Sequence, residues 1–164
     1  MGNKIIYAVA GQIGSGKTSF ARKLAQEKNA LFFSTDKWIA NLGVPIGSHE
    51  NYAKYYNGIR DRIYEVATQA LNHGVPVVFD FGVNQSKGRK GLQKFANAVG
   101  AVLEIYHITV PIEVCRERVH ERNKNKPQGI FSFEFSDEDF DIISKNYDAP
   151  GADEDIKIIE VTND

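Results

Sequence analysis

A chain of 164 residues, 42% of them hydrophobic, is long enough to bury a core without disulfides or structural metals and short enough to be read as one domain over 1–164. With 20 Lys and Arg against 21 Asp and Glu the formal charge is -1, so no global basic excess points to nucleic acid or an anionic membrane, and any anion site must be local. One cysteine excludes an internal disulfide and a paired-cysteine zinc motif. The N-terminal MGNKIIYAVAG is too short in apolar length for a signal peptide, and Ile6 stands where a myristoylation signal wants Ser or Thr; the setting expected is cytoplasmic, with no membrane partner.

Along the chain, KIIYAVA at 4–10 reads as a buried strand ending at Gly11, followed by a helix from Gly16 to about Lys28. ALFFS at 30–34 is a second strand, and NLGVPIGSHEN at 41–51 is a loop. A long helix then starts near Asn51, with Tyr52, Tyr55, Ile59, Ile63, Val66 and Ala70 as its apolar face, and stops at Asn72-His73-Gly74. VPVVFDF at 75–81 is a third strand, Leu92, Phe95, Ala96 and Val99 mark a helix, and AVLEIYHITV at 101–110 is a fourth strand. Pro111 opens a helix to about Asn123. Ser136 caps another, with acids in its first turn and Phe140, Ile143 and Tyr147 on its apolar face, and IKIIEV at 156–161 is the last strand. Apolar strands alternating with amphipathic helices predict an α/β, three-layer architecture: a five-stranded parallel sheet covered on both faces, with ligands at the strands' C-terminal ends.

Gly11-Gln12-Ile13-Gly14-Ser15-Gly16-Lys17-Thr18 matches G-x-x-x-x-G-K-[ST] at every fixed position, between a strand and a helix as the mechanism requires. Backbone N–H groups of such a loop curl around a phosphate, and the helix N-terminus adds partial positive charge. Lys17 reaches the terminal phosphates of ATP, and the Thr18 hydroxyl can hold magnesium. Asp80, ending an apolar strand, needs a partner for its carboxylate, and Lys17 or a magnesium-bound water would serve. A loop-capping Asp is the alternative.

Two common classes of phosphate-loop protein lose support. Asn123-Lys124-Asn125-Lys126 ends in a cation and cannot read guanine as Asn-Lys-x-Asp does. Phe79-Asp80-Phe81-Gly82 carries no Glu after the Asp to activate water, which leaves transfer to an acceptor other than water. The phosphate loop, Ser34-Thr35-Asp36 after the second strand, the strand ending in Asp80, Arg89 opening the next helix, Val110-Pro111-Ile112-Glu113 leading to Arg118 and Arg122, and the Phe140…Tyr147-Asp148-Ala149-Pro150 tail together resemble the small AAA-type P-loop kinases. These are grouped with polynucleotide 5′-hydroxyl kinase, chloramphenicol phosphotransferase and the zeta-toxin kinases. The chain departs from adenylate kinases, with Asp80-Phe81-Gly82-Val83-Asn84 in place of Asp-Gly-x-Pro-Arg, and lacks the triple glycine of shikimate kinases.

The resemblance implies a P-loop kinase fold with a small helical lid at about 113–130. If the sheet order is that of related kinases, Asp36 lies next to the phosphate-loop strand, where its carboxylate can take the acceptor's proton; a helix N-cap is the structural alternative. Asn84 and Arg89 are candidate substrate contacts; Arg89 can bind a substrate anion or brace the site, with a surface salt bridge as the alternative. Arg118 and Arg122, four apart on one helix face, can close over the triphosphate, or simply pair with glutamates. Arg116 lies about 200° from Arg118 around the helix and is the bystander. The four histidines show no ligand spacing, Cys115 reads as a small core residue, and Trp38, Tyr52, Tyr55 and Tyr56 read first as packing and second as a stacking surface for an acceptor ring. The function expected is an ATP- and magnesium-dependent kinase for a hydroxyl on a small molecule or a nucleic-acid 5′ end. The alternative is a regulatory nucleotide binder.

Overall fold

The computed structural model describes residues 2–43, 49–128 and 132–162, and of 49–51 only the backbone. In chain order the elements are β1 (Ile5–Gly11), α1 (Lys17–Glu27), β2 (Leu31–Phe33), α2 (Thr35–Asn41), α3 (His49–Asn72), β3 (Val77–Phe79), α4 (Ser86–Val99), β4 (Val102–Thr109), α5 (Ile112–Asn125), α6 (Asp137–Lys145) and β5 (Lys157–Thr162). All five strands form one parallel sheet in the order β2-β3-β1-β4-β5. β1 is therefore central, with β3 on one side and β4 on the other.

The alternation of β1 side chains explains the three layers. Ile6, Ala8 and Ala10 face a core with Ile63 and Ala67 of α3 and Leu92 and Ala96 of α4. Tyr7 and Val9 face the opposite core with Ala21 and Leu24 of α1, Cys115 and Val119 of α5 and Phe140 of α6. A strand buried on both faces must be apolar throughout, as IIYAVAG is, and each fully buried Ile or Val contributes about 1.5–3 kcal/mol.

Four expectations are corrected. Thr35–Asn41 is a seven-residue helix where no helix was predicted, and its N-cap is Ser34, whose side chain accepts from the Lys37 N–H; Asp36 sits in the first turn and is not the cap. β2 pairs with β3, not with β1, so Asp36 follows a strand two places from the phosphate loop and Asp80 follows the adjacent one. The buried stripe of α3 runs through Ile63, Ala67, Ala70 and Leu71, leaving Val66 exposed at 42%. Pro111 is the N-cap of α5 rather than its first residue. The Ser136 cap is found as expected, strengthened by a capping box with Asp139. Residues 44–48 of the predicted loop and 129 and 130 of the expected lid lie outside the described residues.

Candidate active site

β1 runs into the phosphate loop at the C-terminal edge of the sheet. Gly14 has φ +80° and lies so close to the Cys115 carbonyl that a Cβ there would meet its oxygen at 2.2 Å; Gly16, at φ +90°, turns the chain into α1. The glycines thus let the loop double back over α5, and Ile13, Gly14 and Gly16 line the cavity. Within the loop the Ser15 N–H donates to the Gln12 carbonyl at 3.1 Å.

Lys17 folds back onto its own loop, its ammonium donating to the carbonyls of Gly11 (2.9 Å) and Gln12 (2.7 Å). Burial lowers its pKa to about 8, partly offset by the charge of Asp80. Because β3 ends beside β1, Asp80 meets the start of α1, and the Thr18 hydroxyl donates to its Oδ2 at 2.7 Å. Burial pushes the Asp80 carboxyl up to about 6, against the pull of the Thr18 hydrogen bond and of Lys17. Asp36 is likewise raised by burial, opposed by a hydrogen bond from Tyr52 and by the charges of Lys17 and Arg122. The Tyr52 hydroxyl donates to Asp36 Oδ1 at 2.5 Å. Arg122 stands over the Phe135 ring at 5.5 Å, and its Nε and Nη2 are buried with no hydrogen-bond partner among the described residues. Burial lowers its pKa, with Asp36 acting the other way.

Lys17, Thr18, Asp36, Asp80, Asn84 and Arg122 all line one cavity of about 770 Å³, within the range of ligand sites. Asn84 also ties the site together, accepting from the Gly11 N–H with its Oδ1 (3.3 Å) and from the Asp148 N–H with its carbonyl (3.0 Å). Arg118 does not line the cavity. Arg89 is placed elsewhere: its side chain is 1% exposed, and its five N–H groups go to Glu154, Val83, Asp148 and Ala149. That corrects two of the expectations for it, since no donor is left for a substrate anion and the ion pair is buried, not superficial; it instead braces the loop after β3 against the segment beyond α6, the remaining reading. Cys115 is buried as expected, and Arg116 pairs with Asp137 and Asp141 away from the site. Phe133 and Phe135 are cavity residues that only the folded chain identifies as such, whereas Tyr52 and Tyr56, read second as a stacking surface, do line the cavity; that Tyr52 is the Asp36 partner, 16 residues on in sequence, is seen only in the fold.

A hard dication fits the Thr18 and Asp80 oxygens, which lie together beside Lys17, and a buried carboxylate with a raised pKa gains from a cation. Among the described residues no group of three or more His, Cys, Asp or Glu forms a metal cage. Without metal or nucleotide the Asp80 charge costs stability. Its ordinary value is 3.8 and its folded value is the higher, so the cost begins above pH 3.8 and is complete above about 6. Asp80→Asn is therefore expected to stabilise the ligand-free protein at pH 7.5 by about 1–3 kcal/mol, a gain that shrinks as pH falls from 6 toward 4. Urea melts at pH 7.5 and 5 measure this; a variant less stable at both would contradict the cost assigned to burial.

Several solved structures share this fold. Kti12 from Chaetomium thermophilum, in complex with ADP-AlF3, aligns with a TM-score of 0.71 at 17% identity over 96% of this chain and 88% of its own. The Mycobacterium tuberculosis APS kinase, in complex with AMPPNP and APS, aligns at 0.62 and 19% identity over 100% of this chain and 91% of its own. In sequence, a tRNA dimethylallyltransferase of Francisella tularensis subsp. novicida is 32% identical over 73 residues, 44% of this chain and 24% of that protein. The chain thus spans about a quarter of the length of the curated relatives it matches. No helix of the described residues is long and apolar enough to cross a membrane. The family model described as AAA domain (AAA_33) matches residues 6–150, taking in the phosphate loop, Asp36, Asp80 and Arg122, and the chain belongs to that family.

Proposed function

We propose that the protein is an ATP- and magnesium-dependent kinase that phosphorylates a hydroxyl group of a small molecule or of a nucleotide or nucleic-acid end, acting in the cytoplasm. The observation that carries this is the convergence of Lys17, Thr18, Asp80, Asp36 and Arg122 on one cavity. In the proposal the terminal phosphates lie on the loop, and the Lys17 ammonium exchanges the Gly11 and Gln12 carbonyls for phosphate oxygens. The two nitrogens of Arg122 that have no partner among the described residues gain acceptors when that charge arrives. Thr18 and Asp80 would hold magnesium, which neutralises charge between the phosphates.

Asp36 takes the proton from the acceptor hydroxyl; the freed oxygen bonds to the terminal phosphorus as its bond to the bridging oxygen breaks, leaving ADP. Burial that raises the Asp36 pKa makes it a better base than an exposed carboxylate. Arg118, one helical turn from Arg122, joins the site through closure of the C-terminal end of α5 and the residues to 128 as a lid.

The test is ADP formation with magnesium and ATP in the presence and absence of hydroxyl compounds. Acceptor-dependent ADP is expected. ATP bound tightly with no compound raising turnover would favour a regulatory nucleotide binder instead.

A further inference from the structure

The cavity wall around Asp36 is aromatic. Tyr52, whose phenol donates to Asp36 Oδ1, stacks on Tyr56 with ring centroids 6.1 Å apart and meets the Phe133 ring edge-on at 6.3 Å. Tyr56 in turn meets Phe81 edge-on at 6.4 Å. All four rings line the cavity, so the carboxylate sits at the foot of an aromatic cleft, holding a hydroxyl carried on a flat ring.

The charge balance of the same cavity is one-sided. Among the described residues that line it, the cations are Lys17 and Arg122, both assigned above to the triphosphate, while Asp36, Asp80, Glu134 and Asp139 are acidic. Arg89 is sealed inside the protein, Arg118 enters only on closure and is assigned to the triphosphate, and Lys37 lines the adjoining recess with Asp36, Asp80 and Arg122 but not the cavity itself. The sequence stretches 44–48 and 129–131 contain no Lys or Arg. An acceptor bearing its own phosphate, sulfate or carboxylate would lie beside the nucleotide's negative charge and the acidic wall with no cation of the cavity left to pair with it. An uncharged ring suffers neither cost and gains stacking area.

Resting on the kinase reading, we propose that the acceptor is an uncharged alcohol carried on a flat, largely apolar ring, which packs against Tyr52, Tyr56 and Phe133 and places its hydroxyl on Asp36. The Tyr52 phenol marks that position in the free protein: the incoming hydroxyl takes over the Asp36 oxygen that Tyr52 holds, or binds the second one. The inference narrows the reading above: among its acceptors a nucleotide or nucleic-acid end, a sugar acid and a phosphorylated metabolite are disfavoured against a neutral ring.

Acceptor-dependent ADP formation across matched pairs tests this: nucleosides against their 3′-monophosphates, aryl alcohols against the same rings bearing a carboxylate, with acyclic polyols and sugar acids alongside. Neutral ring compounds are expected to respond, with kcat/KM at least about tenfold above their anionic partners. With the best of them, Tyr56→Leu should raise KM by about tenfold while kcat stays within about threefold, and Tyr56→Phe, which keeps the ring, should leave KM near wild type. Preference for the anionic partner, for a polyol or for a sugar acid would overturn the inference and leave the kinase reading standing, as would an unchanged KM in Tyr56→Leu. A panel in which no compound raises ADP formation would contradict the kinase reading itself, and the inference with it.

Discussion

Arg89→Ala should destabilise the protein by about 3–5 kcal/mol, the usual cost of removing one partner of a buried ion pair. The guanidinium is 1% exposed and Glu154 12%. Its Nε and Nη2 form a fork on the Glu154 carboxylate at 2.6–2.9 Å, Nη1 donates to the carbonyls of Val83 and Asp148, and Nη2 also reaches the Ala149 carbonyl. Truncation leaves a carboxylate and three carbonyls short of a donor, and uncouples the loop after β3 from the segment beyond α6. Arg89→Lys should recover only part of the loss, because an ammonium cannot reproduce a planar fork while donating to three other carbonyls. Urea denaturation gives the free energy. A change within about 0.5 kcal/mol would show that the brace is dispensable and would return Arg89 to the list of candidate ligands.

Asp36→Asn should lower acceptor-dependent turnover by about 10²–10⁴-fold, the range for losing a positioned general base, with ATP affinity nearly unchanged. The substitution keeps size and an oxygen for the Tyr52 hydroxyl, but removes basicity. The fold should shift by no more than about 1 kcal/mol, because Ser34, not Asp36, caps α2. Near-normal turnover would make Asp36 structural and move the search for the proton acceptor to Asp80. Activity lost together with several kcal/mol of stability would instead assign Asp36 to holding α3 against α2 through Tyr52.

The parts of this molecule that local sequence encodes were legible and the parts that depend on distant pairing were not. The phosphate loop is eight contiguous residues between an apolar run and a helix, and it lies between β1 and α1. Asp80 is legible because a carboxylate at the end of VVF needs a partner, but the partner expected is Lys17 or a magnesium-bound water, and the one found is the hydroxyl of Thr18, 62 residues away. Strand order left no local trace, so Asp36 was put one strand too close to the loop. TDKWIAN is seven residues long, too short for a periodic pattern, and α2 was missed. Arg89 stands in SKGRKG among cations on an amphipathic helix and reads as surface; its role depends on Glu154, 65 residues on. Val66 and Ala67 are neighbours at a point where spacings of three and four both fit, and the smaller residue is the one that goes inside. Arg122 and Arg118 share a face, but only the first lines the cavity.

The central claim is that this cavity binds a nucleoside triphosphate through Lys17. Thermal unfolding with ATP and magnesium tests it most directly. At about 100 times the dissociation constant the ligand adds roughly 2.7 kcal/mol to the native state, so the wild-type midpoint should rise by several degrees. Lys17→Ala should lose most of that rise, because the ammonium that moves from the Gly11 and Gln12 carbonyls to the phosphates is gone. A wild-type protein unmoved by millimolar ATP, GTP or ADP, or a Lys17→Ala variant that shifts as far as wild type, would contradict the account.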